Sequence, residues 1–169
     1  MMLTIAGIAS LVAVFNAIFP ALSRSSGAIV SSSAKLDERL RSDIEIIHAV
    51  GELNSGGSFA DSSPTNGVFE IFVWVKNVGD TRITSIENTD VFIGQIGSFS
   101  RIPHLVEVQA GIYPRWSHIV EGSSDDTQLN PTDTLRITID YDTDIQSQGS
   151  YDVKVTVPSG VTDEYFFSM

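Results

Sequence analysis

Three aspartates at alternate positions come closest, within this sequence, to the pattern of a metal site. Asp140, Asp142 and Asp144 match the opening of a calcium-binding loop, in which alternate carboxylates supply oxygen ligands. The rest of that motif is missing, because the sixth position is not glycine and Tyr151 stands where the twelfth should be glutamate. We therefore interpret the three residues as a strand end that runs into a polar turn, and keep them only as candidate metal ligands.

The sequence contains no other arrangement that is typical of a catalytic or cofactor site. Its three histidines, His48, His104 and His118, lack the spacing of metal ligands, which favours core or surface positions. Cysteine is absent, which excludes disulfides, thiolate metal sites and a cysteine nucleophile. Neither a G-x-S-x-G elbow nor a phosphate-binding glycine loop occurs. We therefore expect no enzymatic activity, no cofactor and no small-molecule substrate.

The two tryptophans have side chains that could stack on sugar rings. Trp74 lies in a run that alternates with apolar residues, and Trp116 follows Pro114 and Arg115. For both we predict packing at the surface or at a subunit interface.

Charge is distributed unevenly along the 169 residues, whose formal net charge is −11. The first 23 residues carry no ionisable side chain, and residues 24–45 carry four basic and four acidic ones. All of the net negative charge therefore lies after Glu45, where only six scattered Lys or Arg residues occur. Phosphate backbones require clustered Lys and Arg, so this distribution argues against nucleic acid as a partner.

The uncharged N-terminal segment is apolar nearly all round, which is typical of a helix buried in lipid or in other protein. Residues 1–22 reach the roughly 20 apolar residues that span a bilayer. A cleaved signal peptide would need a basic start, which 1–3 lack. A permanent membrane anchor and a filament-core helix stay open, and small residues such as Ala6, Gly7 and Ala13 favour close helix packing.

A second apolar pattern follows this segment and predicts that the helix continues. Pro20 should kink it near Phe19, since proline removes a backbone donor. Farther on, Leu36, Leu40, Ile44 and Ile47 recur at helical spacing, and Gly51 is a plausible end. We predict one long helical domain over 1–51. The alternative is a transmembrane helix, a loop and a separate amphipathic helix.

After Gly51, turn-forming residues separate short segments with a period of two, as in β-strands. The predicted strands are 68–76, 90–96, 105–108, 113–121, 134–141, 151–157 and 164–167. The residues predicted to face the core in two of them are Phe69, Ile71, Val73, Val75, Leu135, Ile137, Ile139 and Tyr141. The predicted fold class is α+β, in which the long helix precedes an immunoglobulin-like antiparallel β-sandwich over 52–169.

Several local strings resemble the archaellin and archaellum F/G protein families, whose members are type IV pilin-like. These strings are LRSDIEII (40–47), FVWVKNVGDT (72–81), DVFI (90–93) and the ending EYFFSM (164–169). The resemblance implies a structural part of an archaellum, the archaeal flagellum: either the extracellular motility filament or its stator at the cell envelope. The apolar N-terminal helix, which is the first part of the domain 1–51, would then be inserted in the membrane before assembly.

We expect the N-terminal helix to drive polymerisation with copies of the chain or with paralogous subunits, because its apolar side chains have no other burial site once they leave lipid. The residues expected to make these contacts are Met2, Leu3, Ile5, Ile8, Leu11, Val12, Phe15, Ile18 and Phe19. An envelope-anchored stator subunit and a membrane-anchored immunoglobulin-like binding domain are the alternatives.

Overall fold

The computed structural model describes residues 33, 36–37, 39–61, 67–142 and 149–169. The chain divides into two compact units, Met1–Glu38 and Arg39–Met169. In the first unit, the three described residues are helical and exposed. The predicted helix over 1–32, with its kink near Pro20, lies outside the described residues.

The described part of the second unit consists mainly of strands, joined by turns and by two single-turn 3₁₀ helices. The strands are β1 (Ile44–Gly51), β2 (Val68–Asn77), β3 (Ile83–Thr84), β4 (Asp90–Gln95), β5 (Ser98–Ile102), β6 (Arg115–Val120), β7 (Gln128–Leu129), β8 (Thr134–Asp142), β9 (Ser150–Thr156) and β10 (Thr162–Ser168). The 3₁₀ helices are Ile86–Asn88 and Leu105–Glu107.

Eight of these strands form two antiparallel four-stranded sheets. The first sheet has the order β1-β2-β8-β6, the second has the order β10-β9-β4-β5, and the short strands β3 and β7 pair with each other. Buried apolar side chains from both sheets form one core cluster, whose first member along the chain is Ile44. The architecture is consistent with the β-sandwich that the strand pattern predicted.

The predicted core faces of the long strands are confirmed. In β2, Phe69, Ile71, Val73 and Val75 are buried while the residues between them are half-buried. β8 buries Leu135, Ile137 and Ile139, and Tyr141 packs against the core. β9 alternates in the same way. Period-two patterning identified these strands because each has one face toward the core and one away from it.

Residues 44–51, predicted as the end of the long helix, instead form strand β1, so this prediction is wrong. The last helical residue before it is Arg41. β1 pairs with β2 over its whole length, with a register shift between Ile46 and His48. The inward residues of β1 include Ile44, Ile46 and Ala49, all buried. A run rich in β-branched residues is better accommodated on a half-buried sheet than in a helix.

The turn after β2 supplies a physical reason for the end of the helix at this point. The carbonyl of Arg41 accepts a hydrogen bond from the Asp80 N–H at 2.9 Å, and the Asp43 carbonyl accepts from the N–H groups of Val78 and Gly79 at 3.1 and 3.0 Å. A Cβ at Gly79 would lie 2.7 Å from the Arg41 carbonyl oxygen, so only glycine permits this approach. The helical spacing of Leu40, Ile44 and Ile47 carried no information about these distant donors.

A second prediction, a strand over 105–108, is also wrong, because Leu105–Glu107 is a 3₁₀ helix. The Glu107 carboxylate accepts from the His104 N–H at 3.0 Å, and the His104 ring accepts from the Val106 N–H at 3.4 Å. This reciprocal arrangement is a capping box, which favours a helical turn over a strand. Strand β5 was not predicted, since four of its five residues are exposed and show no apolar alternation.

Candidate interaction surfaces

The nine residues predicted to drive polymerisation, Met2 to Phe19, lie outside the described residues. In the portion of the chain that the structure describes, no helix combines the length and apolarity needed to cross a membrane. The role of these nine residues in polymerisation therefore stays a prediction.

The aspartates proposed as candidate metal ligands have separate surroundings. Asp140 forms a salt bridge with Arg115 across the β6–β8 pair, and its carboxylate accepts a hydrogen bond from the Arg115 Nε at 3.2 Å. Asp142 is the exposed last residue of β8, and Asp144 lies outside the described residues. Among the described residues, no group of three or more histidines, aspartates or glutamates is placed to hold a metal ion.

The two tryptophans occupy different environments. Trp74 is half-buried on the outer face of the first sheet, where it stacks on His48 with ring centroids 5.5 Å apart. Trp116 has no exposed surface and belongs to the core cluster. Surface or interface packing is therefore wrong for Trp116. The predicted strand over 113–121 contains Trp116, but the sequence did not indicate that this side chain faces the core, as it does in β6.

The outer face of the first sheet carries an aromatic stripe. Cross-strand pairs place Val50 beside Phe72 and His48 beside Trp74. The Phe72 and Trp74 ring centroids lie 6.1 Å apart. Such a half-buried stripe presents flat apolar surface beside polar neighbours, which is common at protein interfaces.

The outer face of the second sheet carries three phenylalanines around an acidic pair. Phe92 and Phe99 stack with centroids 5.6 Å apart, and Phe166, which is 62% exposed, lies opposite Asp152. One carboxylate oxygen of Asp152 is buried without a hydrogen-bond partner among the described residues. Burial, a hydrogen bond with Glu164 and the charge of Glu164 raise the pKa of Asp152 from 3.8 to about 6.

This raised pKa makes the stability of the second unit depend on pH. Since the folded state binds the Asp152 proton more tightly than the unfolded chain, the stabilisation is present below the ordinary pKa of 3.8 and is lost as pH rises through about 6. Asp152→Asn should remove this loss and raise the thermal midpoint at neutral pH by roughly 2–5 °C. Circular dichroism melts of the full-length chain in detergent, over a pH series, measure both effects.

Asp80→Asn, at an exposed turn position, is the matched control and should leave the pH dependence of the midpoint unchanged. Equal midpoints for Asp152→Asn and the unsubstituted chain at every pH would show that the acidic pair carries no strain.

The structure also brings together two histidines, His104 and His118, that no sequence pattern paired. The His104 Nε2 lies 3.3 Å from the His118 Nδ1, and the His104 and Trp116 rings pack in a T-shaped arrangement with centroids 4.3 Å apart. His104 is 5% exposed. Burial first, and then the neighbouring His118, lower its pKa below the ordinary value. The spacing of His104 and Glu107 was a usable signal, since it is that of a capping box.

Ion pairs hold the 3₁₀ helix beside this histidine pair. Arg101 donates two hydrogen bonds to the Glu107 carboxylate, both at 3.0 Å, and a third to Asp90 at 2.7 Å. The hydrogen bonds from Arg101 keep the pKa of Glu107 below its ordinary range. The exposed side chains of Leu105 and Val106 are thereby presented on an anchored turn.

A cavity of about 370 Å³ opens between the two sheets. Its walls combine core residues such as Ile71 and Ile93 with Gln95, Tyr141 and Tyr151. The Gln95 amide lies 3.5 Å from the Tyr151 hydroxyl.

These features define the class of protein: a compact unit of two antiparallel sheets whose notable surfaces are apolar and aromatic faces. A model of the archaeal-type flagellin family matches residues 2–167, and the chain belongs to that family. It is therefore an archaellum-related protein. No curated protein matches the sequence.

Solved structures support the fold. The archaellum periplasmic stator protein FlaG from Sulfolobus acidocaldarius is 21% identical, with a TM-score of 0.54 over 75% of this chain and 99% of that chain. The stator complex of FlaF and FlaG from the same organism is 22% identical, with a TM-score of 0.52 over 73% and 87%. The flagellin FlaB1 from Methanocaldococcus jannaschii is 11% identical, with a TM-score of 0.52 over 76% and 90%.

Proposed function

We propose that this chain is a structural, non-enzymatic subunit of an archaellum-type extracellular filament and polymerises through its N-terminal segment. The observation that carries the proposal is the extent of the family match, which begins at residue 2 and ends at residue 167. The match thus includes the uncharged segment as well as both sheets. The flagellin FlaB1 structure, which shares the fold of the second unit, is in keeping with this role.

Physical chemistry supports polymerisation through the first 23 residues, which carry no ionisable side chain. Burial of one large apolar side chain contributes about 1.5–3 kcal/mol. The summed free energy of burying the nine predicted contact residues therefore exceeds the usual entropic cost of association. A contact that joins different surfaces of identical copies does not close on itself, so it extends into a fibre.

The second unit is suited to an outer position in such a filament. Its core cluster draws on both sheets, which gives it an internal source of stability. All of the chain's net negative charge follows Glu45, and an acidic exterior opposes non-specific association.

An envelope-anchored stator subunit is the second candidate. The similarity to FlaG favours it, because that similarity covers 99% of the FlaG chain at a higher identity than that to FlaB1. Abundance distinguishes the two functions, since a filament is built from many copies of its subunit whereas a stator stays with the envelope.

The test is to shear cells that make this protein, collect the released filaments and compare them with the envelope fraction by immunogold electron microscopy and quantitative mass spectrometry. We expect the chain to be a major component along the filament shaft. Filaments that lack the chain, together with its retention in the envelope, would support the stator function instead. A purified full-length chain that stays monomeric after detergent removal would contradict both the polymerisation step and the filament role.

A further inference from the structure

The histidine pair belongs to a chain of hydrogen bonds whose direction is determined by its two ends. At one end, the Val106 N–H donates to the His104 Nδ1 at 3.4 Å. At the other end, the His118 Nε2 lies 3.0 Å from the carbonyl oxygen of Asp126, which can only accept. With both rings neutral, the His104 Nε2–H must therefore donate to the His118 Nδ1 across the 3.3 Å between them. We call these four groups the histidine relay.

The histidine relay connects two segments to strand β6. His104 is the N-cap of the 3₁₀ helix Leu105–Glu107, and His118 lies on β6. The Asp126 carbonyl belongs to the loop that follows β6, and the Asp126 carboxylate accepts from the Val120 N–H at 2.6 Å. Through the two histidine rings, the relay thus links both the 3₁₀ helix Leu105–Glu107 and the loop that contains Asp126 to β6.

The charged groups that face the relay come from several elements. Glu107 in the 3₁₀ helix is engaged by Arg101 of β5 and by the His104 N–H. Glu107 and, to a smaller extent, Glu87 from the other 3₁₀ helix raise the pKa of His104, but burial and His118 lower it by more. The Trp116 ring packs against the His104 ring and carries no charge. No carboxylate among the described residues accepts a hydrogen bond from a ring nitrogen of either histidine.

A second N–H proton on either ring has no acceptor within the relay. On His104 it would place two donors, the Nδ1–H and the Val106 N–H, against each other. On His118 it would turn the Nδ1 into a donor that faces the His104 Nε2–H. Each event replaces a hydrogen bond by a donor–donor contact and puts a charge beside a ring that is 5% exposed.

We propose that the histidine relay is an acid-sensitive clasp, which holds the 3₁₀ helix Leu105–Glu107 and the loop 121–127 to β6 when both rings are neutral and releases them when either ring is protonated. Release changes how the exposed Leu105 and Val106 are presented and uncovers Trp116. The lowered pKa of His104 predicts the same pH dependence as the clasp. Because the folded state binds this proton less tightly than the unfolded chain, His104 stabilises the fold above the ordinary pKa of 6.5, and this stabilisation is lost as pH falls.

The clasp is tested by hydrogen–deuterium exchange of the full-length chain in detergent micelles at about pH 7.5 and about pH 5, corrected for intrinsic rates. We expect amides in 104–108 and 119–127 to exchange at least ~10-fold faster at the lower pH, while amides of β2 and β8 stay protected. Unchanged protection of both segments would overturn the proposal.

Two variants separate the relay from a general effect of acid. His104→Asn keeps an oxygen acceptor for the Val106 N–H and cannot titrate, so exchange in 104–108 should become independent of pH. His48→Gln changes the third histidine, on the outer face of the first sheet, and should retain the full response to pH. The same response in His104→Asn as in the unsubstituted chain would refute the clasp.

A measurement on the unsubstituted chain protects the test against a variant that fails to fold. The ring signals of His104 and His118 in a nuclear magnetic resonance titration should move together with the Val106 amide, at a His104 pKa below the ordinary value. A His104 that titrates at or above 6.5 would contradict the mechanism.

Discussion

Val12→Asp is expected to abolish filaments while the sheets of the second unit stay folded. Val12 lies in the middle of the 23 residues that carry no ionisable side chain. A carboxylate at the centre of a membrane-inserted helix costs about 2.5–3.5 kcal/mol on insertion scales, and burial among apolar side chains without a partner is also costly. Because every copy in a filament would carry the substitution, the penalty would be repeated at each contact.

The matched control is Val78→Asp, which introduces the same charge at a position that is 43% exposed in the turn after β2. This control should assemble like the unsubstituted chain. Negative-stain electron microscopy counts filaments, circular dichroism checks the sheets, and the amount in the membrane fraction shows whether loss of insertion precedes loss of assembly. Normal filaments from Val12→Asp would remove the physical basis of the proposed function.

Trp116→Ala should destabilise the second unit by about 3–5 kcal/mol, which is the usual cost of truncating a buried tryptophan. Trp116 has no exposed surface, belongs to the core cluster and contacts the His104 ring. Its indole N–H has no acceptor among the described residues, so the loss comes from packing. Trp116→Phe, which keeps an aromatic ring and removes that N–H, should therefore cost clearly less.

Trp74→Ala is the matched control, since Trp74 is half-buried on the outer face of the first sheet. It should cost about 1 kcal/mol. Urea unfolding of the full-length chain in detergent, followed by circular dichroism, measures all three variants.

Trp74→Phe leaves Trp116 as the sole tryptophan, whose emission should be blue-shifted and resistant to quenching. Equal losses for the two alanine variants would contradict the assigned positions of these residues.

The same residues show which predictions a sequence permits. Strands β2 and β8 were predicted with their correct core faces, because their side chains alternate between the core and the outer surface. Residues 44–51 were predicted incorrectly, because Leu36, Leu40, Ile44 and Ile47 also fit a helical repeat. The difference was decided by pairing with β2 and by donors from the 78–80 turn, which are more than thirty positions away along the chain.

The candidate surfaces were harder to predict from the sequence than the strands were. Trp74 was correctly placed at the surface, but Trp116 was not placed in the core. The histidine relay was missed, because His104 and His118 lie 14 positions apart and meet only when the chain returns from β5 to β6. Asp152 gave no signal either, since its neighbours Glu164 and Phe166 come from the adjacent strand β10.

By itself, the sequence determined the separation of an uncharged apolar segment from an acidic part rich in strands, and the alternation within the longest strands. These features follow from side-chain type and from spacings of a few residues, which are local properties. Only the tertiary structure decided that 44–51 joins a sheet, that Trp116 is buried and that two histidines 14 positions apart meet within hydrogen-bonding distance. Each depends on contacts between segments far apart in the chain, whose energies no local pattern records.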